Sequence, residues 1–225
     1  TKWQLRSGGD AVSDGQGDLR ALRDWVAALD DSEQYAVAVS CVKDDTYAHE
    51  IGQAFESLSS ATLDFAKSSA TFAGVRNAYD EPERLGVDRW LALLAVKARG
   101  QSSAVIIDVG TACTIDVLEN GQHLGGYIFP GMALARDALV ANTDKIRFSE
   151  DPEPSTSLGT HTAGCVLSGI WLTLLASCQS VIDRFPNATV YLTGGSAPEL
   201  VALGLDAQRV DGLVFDGLDF WLNGA

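Results

Sequence analysis

The apolar positions recur with two periods along the chain, and each change of period marks an element. Leu19, Leu22, Trp25, Val26 and Leu29 lie at helical spacing, which predicts a helix over 19–29 between turn-rich stretches at 15–18 and 30–34. A short β-branched run predicts a buried strand over 35–42, and 47–58 reads as a helix packed on it. A strong amphipathic helix is predicted over 82–99, with Pro82 suited to its first turn. Residues 104–129 read as three strands, the last two joined at Asn120-Gly121, a pair that favours a tight hairpin turn. After the Pro130-Gly131 break come a helix over 132–139 and a polar, exposed loop over 147–158 with two prolines. A long helix over 162–185, a strand over 189–193, a short helix over 198–203, a strand over 210–215 and a C-terminal helix complete the chain.

Helices and strands alternate in both halves, and an antiparallel meander opens the second half. That order predicts an α/β fold of two similar lobes, 1–100 and 101–225, each a mixed sheet flanked by helices, with a ligand cleft between them. The spacing shows no clean internal repeat. Apolar residues make up 46% and charged residues 20%, an ordinary globular balance, and 225 residues are enough for a large core. The net charge of −14 opposes general nucleic-acid binding, which needs a basic face. No apolar run is expected to reach the length of a membrane span, and the printed start shows no signal peptide, so a cytoplasmic protein is expected. Cys41, Cys113, Cys165 and Cys178 lack Cys-x-x-Cys spacing and read as buried free thiols. The three histidines are scattered, so no zinc site is suggested.

The candidate chemistry centres on Asp108-Val109-Gly110-Thr111, where a buried strand turns sharply into the next. Gly110 lets a ligand approach the backbone, Thr111 offers a hydroxyl and an N–H, and Asp108 offers a carboxylate for Mg²⁺. An ordinary hairpin capped by its Asp and Thr would use the same residues. The layout is similar to a phosphate loop of the actin and sugar-kinase group of ATP-binding folds. Thr114 is a further candidate for the phosphates, and Asp116, two residues on, shares its strand face. Gly194-Gly195 ends one strand and opens a helix, so its N–H groups could face a phosphate or adenosine, although a tight turn needs the same pair.

Four further blocks lie in order. They are Gly74-Val75-Arg76-Asn77-Ala78-Tyr79 with Pro82, then Gly86-Val87-Asp88-Arg89-Trp90, then Gly125-Gly126-Tyr127-Ile128-Phe129-Pro130-Gly131 with Leu139 and Thr143, then Leu192-Thr193-Gly194-Gly195. Together they resemble the type III pantothenate kinases over roughly 74–195. The resemblance implies two actin/hexokinase-like (ribonuclease H-like) lobes with an ATP cleft between them. It implies ATP-dependent phosphorylation of pantothenate at its 4′-hydroxyl, the first step toward coenzyme A. Asp88 would be the base that accepts the hydroxyl proton, and Tyr79, Gly86, Val87, Arg89 and Thr162 would line the pantothenate pocket. Asp108, Gly110, Thr111, Thr114, Gly194 and Gly195 would hold Mg²⁺-ATP. Asp116 would accompany a monovalent cation, K⁺ or NH₄⁺. Thr162 would reach the site of a neighbouring subunit, making a homodimer with shared sites.

Family members open with a strand ending in Asp-x-Gly-Asn, followed within a few residues by Lys-Trp. Here the printed chain starts Thr1-Lys2-Trp3, so the resemblance places the first phosphate loop ahead of Thr1. Two other functions stay open from the sequence. One is a non-catalytic accessory or regulatory binding protein of the same fold. The other is a kinase of the same fold with a different acceptor, against which the acceptor-site blocks around Tyr79 and Asp88 stand.

Overall fold

The structure, a computed structural model, describes residues 1–143, 146 and 153–224. The chain opens with an antiparallel hairpin of β1 (Lys2–Ser7) and β2 (Asp10–Gln16). Helix α1 (Leu19–Val26) is capped by Asp18, which accepts the Ala21 N–H, and α2 (Asp45–Ala54) by Asp44, which accepts the Tyr47 N–H. Each cap satisfies a donor that the helix start leaves open. α2 is the crossover between β3 (Tyr35–Val39) and β4 (Ala61–Phe65), which pair in parallel. Leu22, Val26, Val39, Ile51, Ala54 and Leu58 form the core of this part.

A larger unit follows. It comprises β5 (Thr71–Phe72), β6 (Val75–Arg76), α3 (Val87–Ala98), β7 (Ala104–Val109), β8 (Ala112–Glu119), β9 (Gln122–Pro130), α4 (Met132–Ala141), α5 (Thr162–Ile182), β10 (Thr189–Thr193), α6 (Ala197–Ala202), β11 (Gln208–Arg209) and α7 (Leu213–Asn223). Its strands form one mixed sheet in the order β11-β10-β7-β8-β9-β6-β5. Side chains alternate across it. Val105, Ile107, Val109, Cys113, Ile115 and Val117 pack with Ile170, Trp171, Leu174 and Leu200 from α5 and α6. Ile106, Leu118 and Tyr191 pack on the other face with α3 and α7. By the same alternation Asp108 faces the α3 side, in register with Thr114 of β8 and Thr193 of β10.

The α/β class with mixed sheets flanked by helices is as the sequence predicts, and β10 matches it residue for residue. Asn120 and Gly121 both take positive φ, 51° and 79°, as the expected hairpin turn requires. Several expectations need correction. The helix predicted over 82–99 breaks. Pro82–Arg84 is a 3-10 turn, Leu85 and Gly86 are extended at ψ 129° and 128°, and α3 starts at Val87. Asp88 therefore stands in a first helical turn. α3 is also buried nearly all round, because it lies between the sheet and α7. The strand predicted over 210–215 does not form. Gly212 takes φ 74° and opens α7, and Leu213 enters the core as a helical residue. The large sheet also draws in β5 and β6 from before residue 100. α5 is long and apolar enough to cross a membrane, against expectation, although one face lies on the sheet. All four thiols are free, but Cys165 is exposed and Cys41 half-buried. In the loop predicted over 147–158, residues 147–152 lie outside the described residues and 153–158 have no regular structure.

Candidate active site

Asp88, Asp108, Thr193, Gly194 and Gly195 line a cleft of about 1080 Å³. Lys2, Trp3 and Val39 of the first part and Leu213 and Leu218 of α7 also line it. The parallel strands β7 and β10 end here, and open α/β sheets bind ligands outside the carboxyl ends of such strands. The two strand ends are tied together where the Ser196 N–H donates to the Val109 carbonyl at 3.0 Å. Gly194 takes φ 100°, and a Cβ there would lie 2.5 Å from both Asp108 Oδ1 and the Val109 carbonyl. Only glycine fits beside Asp108 at this point.

Burial pushes the Asp108 carboxyl up, the nearby Asp88 charge adds to the effect, and Lys2 partly offsets it, leaving a pKa of about 6. Asp88 comes from the first turn of α3, a position that suits an anion. Its Oδ1 accepts the Arg89 N–H at 2.9 Å, and a Cβ on Gly86 would press on that oxygen from 2.7 Å. Gly86 thus keeps space around the carboxylate. Val87, expected at the substrate, is buried in the core and anchors the helix start next to Asp88.

Arg89 is buried, 6% exposed. Its Nε and Nη2 donate to Asp116 at 2.8 and 2.6 Å, and Nη1 donates to the Tyr79 hydroxyl at 2.9 Å. The fork geometry is the strong, bidentate form of ion pair. Burial alone would raise the Asp116 carboxyl, but the hydrogen bonds from His123 and Arg89 and the Arg89 charge outweigh it and hold the group below the usual carboxylate range. Tyr79 sits in a loop shaped by Asn77, whose side-chain amide donates to the Ser69 and Pro82 carbonyls while its oxygen accepts the Tyr79 N–H.

The structure brings Asp88, Asp108, Gly194 and Gly195 into one cleft and joins Tyr79, Arg89 and Asp116 in one buried network. Gly110 and Thr111 are exposed at the turn beyond Asp108 and do not line the cleft. The Gly110 N–H is already used within the turn, donating to the Ala112 carbonyl at 3.0 Å. Thr114 lies directly across the ladder from Asp108. Thr162 is exposed at the start of α5, away from the cleft of its own chain, and the helix is capped by His161, which accepts the Gly164 N–H. Two residues enter unforeseen. Lys2 bears on Asp108 electrostatically. His123 is wholly buried and hydrogen-bonds Asp116 at 2.9 Å. Counting from the Asn120-Gly121 turn pairs His123 with buried Leu118, so the sequence did carry a signal for an inward histidine.

The donor set also decides which cations fit. Asp88 and Asp108 present hard oxygens whose mutual repulsion a divalent cation would relieve, while no cluster of three or more His, Cys, Asp or Glu exists among the described residues. A few carboxylates with the remaining positions left to water suit Mg²⁺. Asp116 does not fit the monovalent cation expected of it. Arg89 holds both of its oxygens, and His123 shares one of them.

Comparison with known proteins agrees with this geometry. A family profile described as type III pantothenate kinase matches residues 2–184. The type III pantothenate kinase of Marinobacter nauticus is 34% identical over 187 residues, covering 81% of this chain and 77% of that one. That of Acinetobacter baumannii is 38% identical over 164 residues, covering 73% of this chain and 66% of its own. A Campylobacter jejuni crystal structure, described as a Baf family transcriptional activator, superposes with a TM-score of 0.55 at 18% identity over 88% of this chain and 85% of that one. The last likeness shows a shared fold. With the profile spanning the cleft residues Asp88 and Asp108 as well as the buried Arg89–Asp116 pair, the chain belongs to the type III pantothenate kinase family.

Proposed function

We propose that this chain transfers the γ-phosphoryl group of ATP to the 4′-hydroxyl of pantothenate, the first step of coenzyme A synthesis. The observation that carries this reading is the pair of carboxylates, Asp88 and Asp108, in one cleft at the ends of β7 and β10. Phosphoryl transfer to an alcohol asks for an acceptor-side carboxylate and a metal-side carboxylate. Asp88 orients the hydroxyl and takes its proton as the oxygen attacks phosphorus. One of its oxygens is engaged by the Arg89 N–H, and the other takes no protein hydrogen bond among the described residues. Asp108 is the carboxylate that would hold the metal, with Gly194 and Gly195 beside it leaving room for a phosphate close to the backbone. When bound, Mg²⁺ would supply positive charge to offset that of the phosphates.

Tyr79 and Arg89 form the wall of the acceptor pocket. Three of the five Arg89 N–H groups are used within the chain, so two are left to face an acidic acceptor. The protein acts as a homodimer. Only a third of the most apolar window of α5 is buried within one chain, and Leu172 of α5, Leu134 of α4 and Ile128 of β9 are exposed. A two-fold pairing of these faces would cover them and carry Thr162 toward the partner's acceptor pocket. Incubation with ATP, Mg²⁺ and pantothenate should yield 4′-phosphopantothenate by mass spectrometry. ATP binding without any such product would favour the accessory-protein reading instead.

A further inference from the structure

We infer that His123 is a positioning residue for the acceptor pocket, holding the Tyr79 loop and the Arg89–Asp116 pair in a fixed relation. The inference rests on the reading of Tyr79, Asp88 and Arg89 as the acceptor site. His123 is 0% exposed and lies in β9, outside the sequence blocks that carry the candidate chemistry. Three of its surfaces are used. Nδ1 accepts the Ala78 N–H at 3.4 Å. With Nδ1 an acceptor, the proton sits on Nε2, which donates to Asp116 Oδ1 at 2.9 Å. The ring face lies parallel to the Tyr79 ring, 15° between planes and 6.4 Å between centroids.

These contacts close a loop of interactions. Tyr79 receives the Arg89 Nη1 proton, Arg89 forks onto Asp116, Asp116 accepts from His123, and His123 returns to the backbone and ring of the Ala78-Tyr79 segment. Gly126 of the same strand leaves the space that the ion pair fills, since a Cβ there would lie 2.6 Å from Asp116 Oδ1 and 2.7 Å from Arg89 Nη2. Arg89 follows Asp88 directly in α3. A displacement of the Asp116–Arg89 fork would therefore move the acceptor wall relative to the base. Loss of His123 should relax the Tyr79 loop and blur the pocket, while the nucleotide side around Asp108 and Gly194 keeps its own supports.

The test uses three substitutions on the full chain. His123→Phe keeps the ring but loses both hydrogen bonds. His123→Gln keeps an N–H donor toward Asp116, and His123→Asn keeps an acceptor near the Ala78 N–H. In His123→Phe the KM for pantothenate should rise about tenfold, equivalent to roughly 1.4 kcal/mol, with the KM for ATP changing less than about twofold. His123→Gln should recover most of that rise. A merely structural role would lower the folded fraction and the apparent kcat and leave both KM values alone. That result would overturn the inference, as would an equal rise in both constants. Hydrogen exchange gives a readout that needs no substrate. Protection at Ala78 should fall in His123→Phe and Gln but persist in His123→Asn, and unchanged protection in all three would overturn the coupling. If the unaltered chain fails to phosphorylate pantothenate while the exchange pattern appears, the acceptor reading fails and the geometric coupling stands.

Discussion

Asp108 shows how a functional group can burden the fold that carries it. Its folded pKa of about 6 lies above the ordinary value of 3.8. Between those two values the folded chain holds more protons than the unfolded chain, so stability falls as pH rises through the window. Below about pH 4 the carboxyl is protonated in both states and costs nothing; above 6 the buried charge is a full liability. Asp108→Asn removes that charge. In metal-free buffer it should raise the Tm by a few degrees at pH 7.5, since about 1 kcal/mol moves a domain of this size by roughly 2–4 °C. The gain should vanish near pH 4, while Mg²⁺-ATP binding by calorimetry is lost at every pH. An equal Tm shift at both pH values would show that the substitution acts through packing instead. Asp116 is the opposite case. Removing Arg89 would strand its buried charge at a cost of about 3–5 kcal/mol, so Arg89→Ala should unfold the larger unit well before it reports on substrate binding.

Between elements, the tie that joins the opening hairpin to the large unit is a three-residue ion cluster. Asp216 of α7 accepts from Arg6 of β1 and from Arg99 just after α3. All three side chains are only partly exposed, between 20% and 31%. Solvent screening limits such pairs to about 1 kcal/mol each. Asp216→Ala should speed proteolytic cutting in the β1-β2 hairpin, and high salt should shrink the difference from the unaltered chain. No change in cutting would show that the hairpin is held by its packing on α1, where Trp3 meets Trp25, rather than by the ion cluster. The hairpin also shows where the sequence was hard to read. β2 is Asp-Ala-Val-Ser-Asp-Gly-Gln, polar and almost wholly exposed, so no buried face marks its period. β5 and β6 are two residues each, too short for any period. The meander was legible because β7 and β8 carry a core on both faces and so read as near-continuous apolar runs, with Asn120-Gly121 marking the turn into β9. Asp88, Asp108 and Gly194 were legible as motifs. The His123 contact was not, because it joins β9 to a loop 45 residues earlier.

For the whole molecule, the apolar surface of α5, α4 and β9 predicts a dimer by light scattering at micromolar concentration. Leu172→Asp should dissociate it while leaving the sheet core intact, because Leu172 is 52% exposed within one chain. Loss of activity along with the dimer would support sites completed by a partner, and a fully active monomer would remove Thr162 from the reaction. The central claim is narrower than assembly: Asp88 is the base of an acceptor-phosphorylating cleft. The most direct measurement is the rate of 4′-phosphopantothenate formation by Asp88→Asn beside the unaltered chain, with Mg²⁺-ATP binding followed by calorimetry on both. The account predicts a fall of about 10²–10⁴-fold in rate, the usual worth of a positioned base, with nucleotide binding preserved. A folded Asp88→Asn retaining more than about a third of the original rate would contradict it, since a lost base costs far more than that.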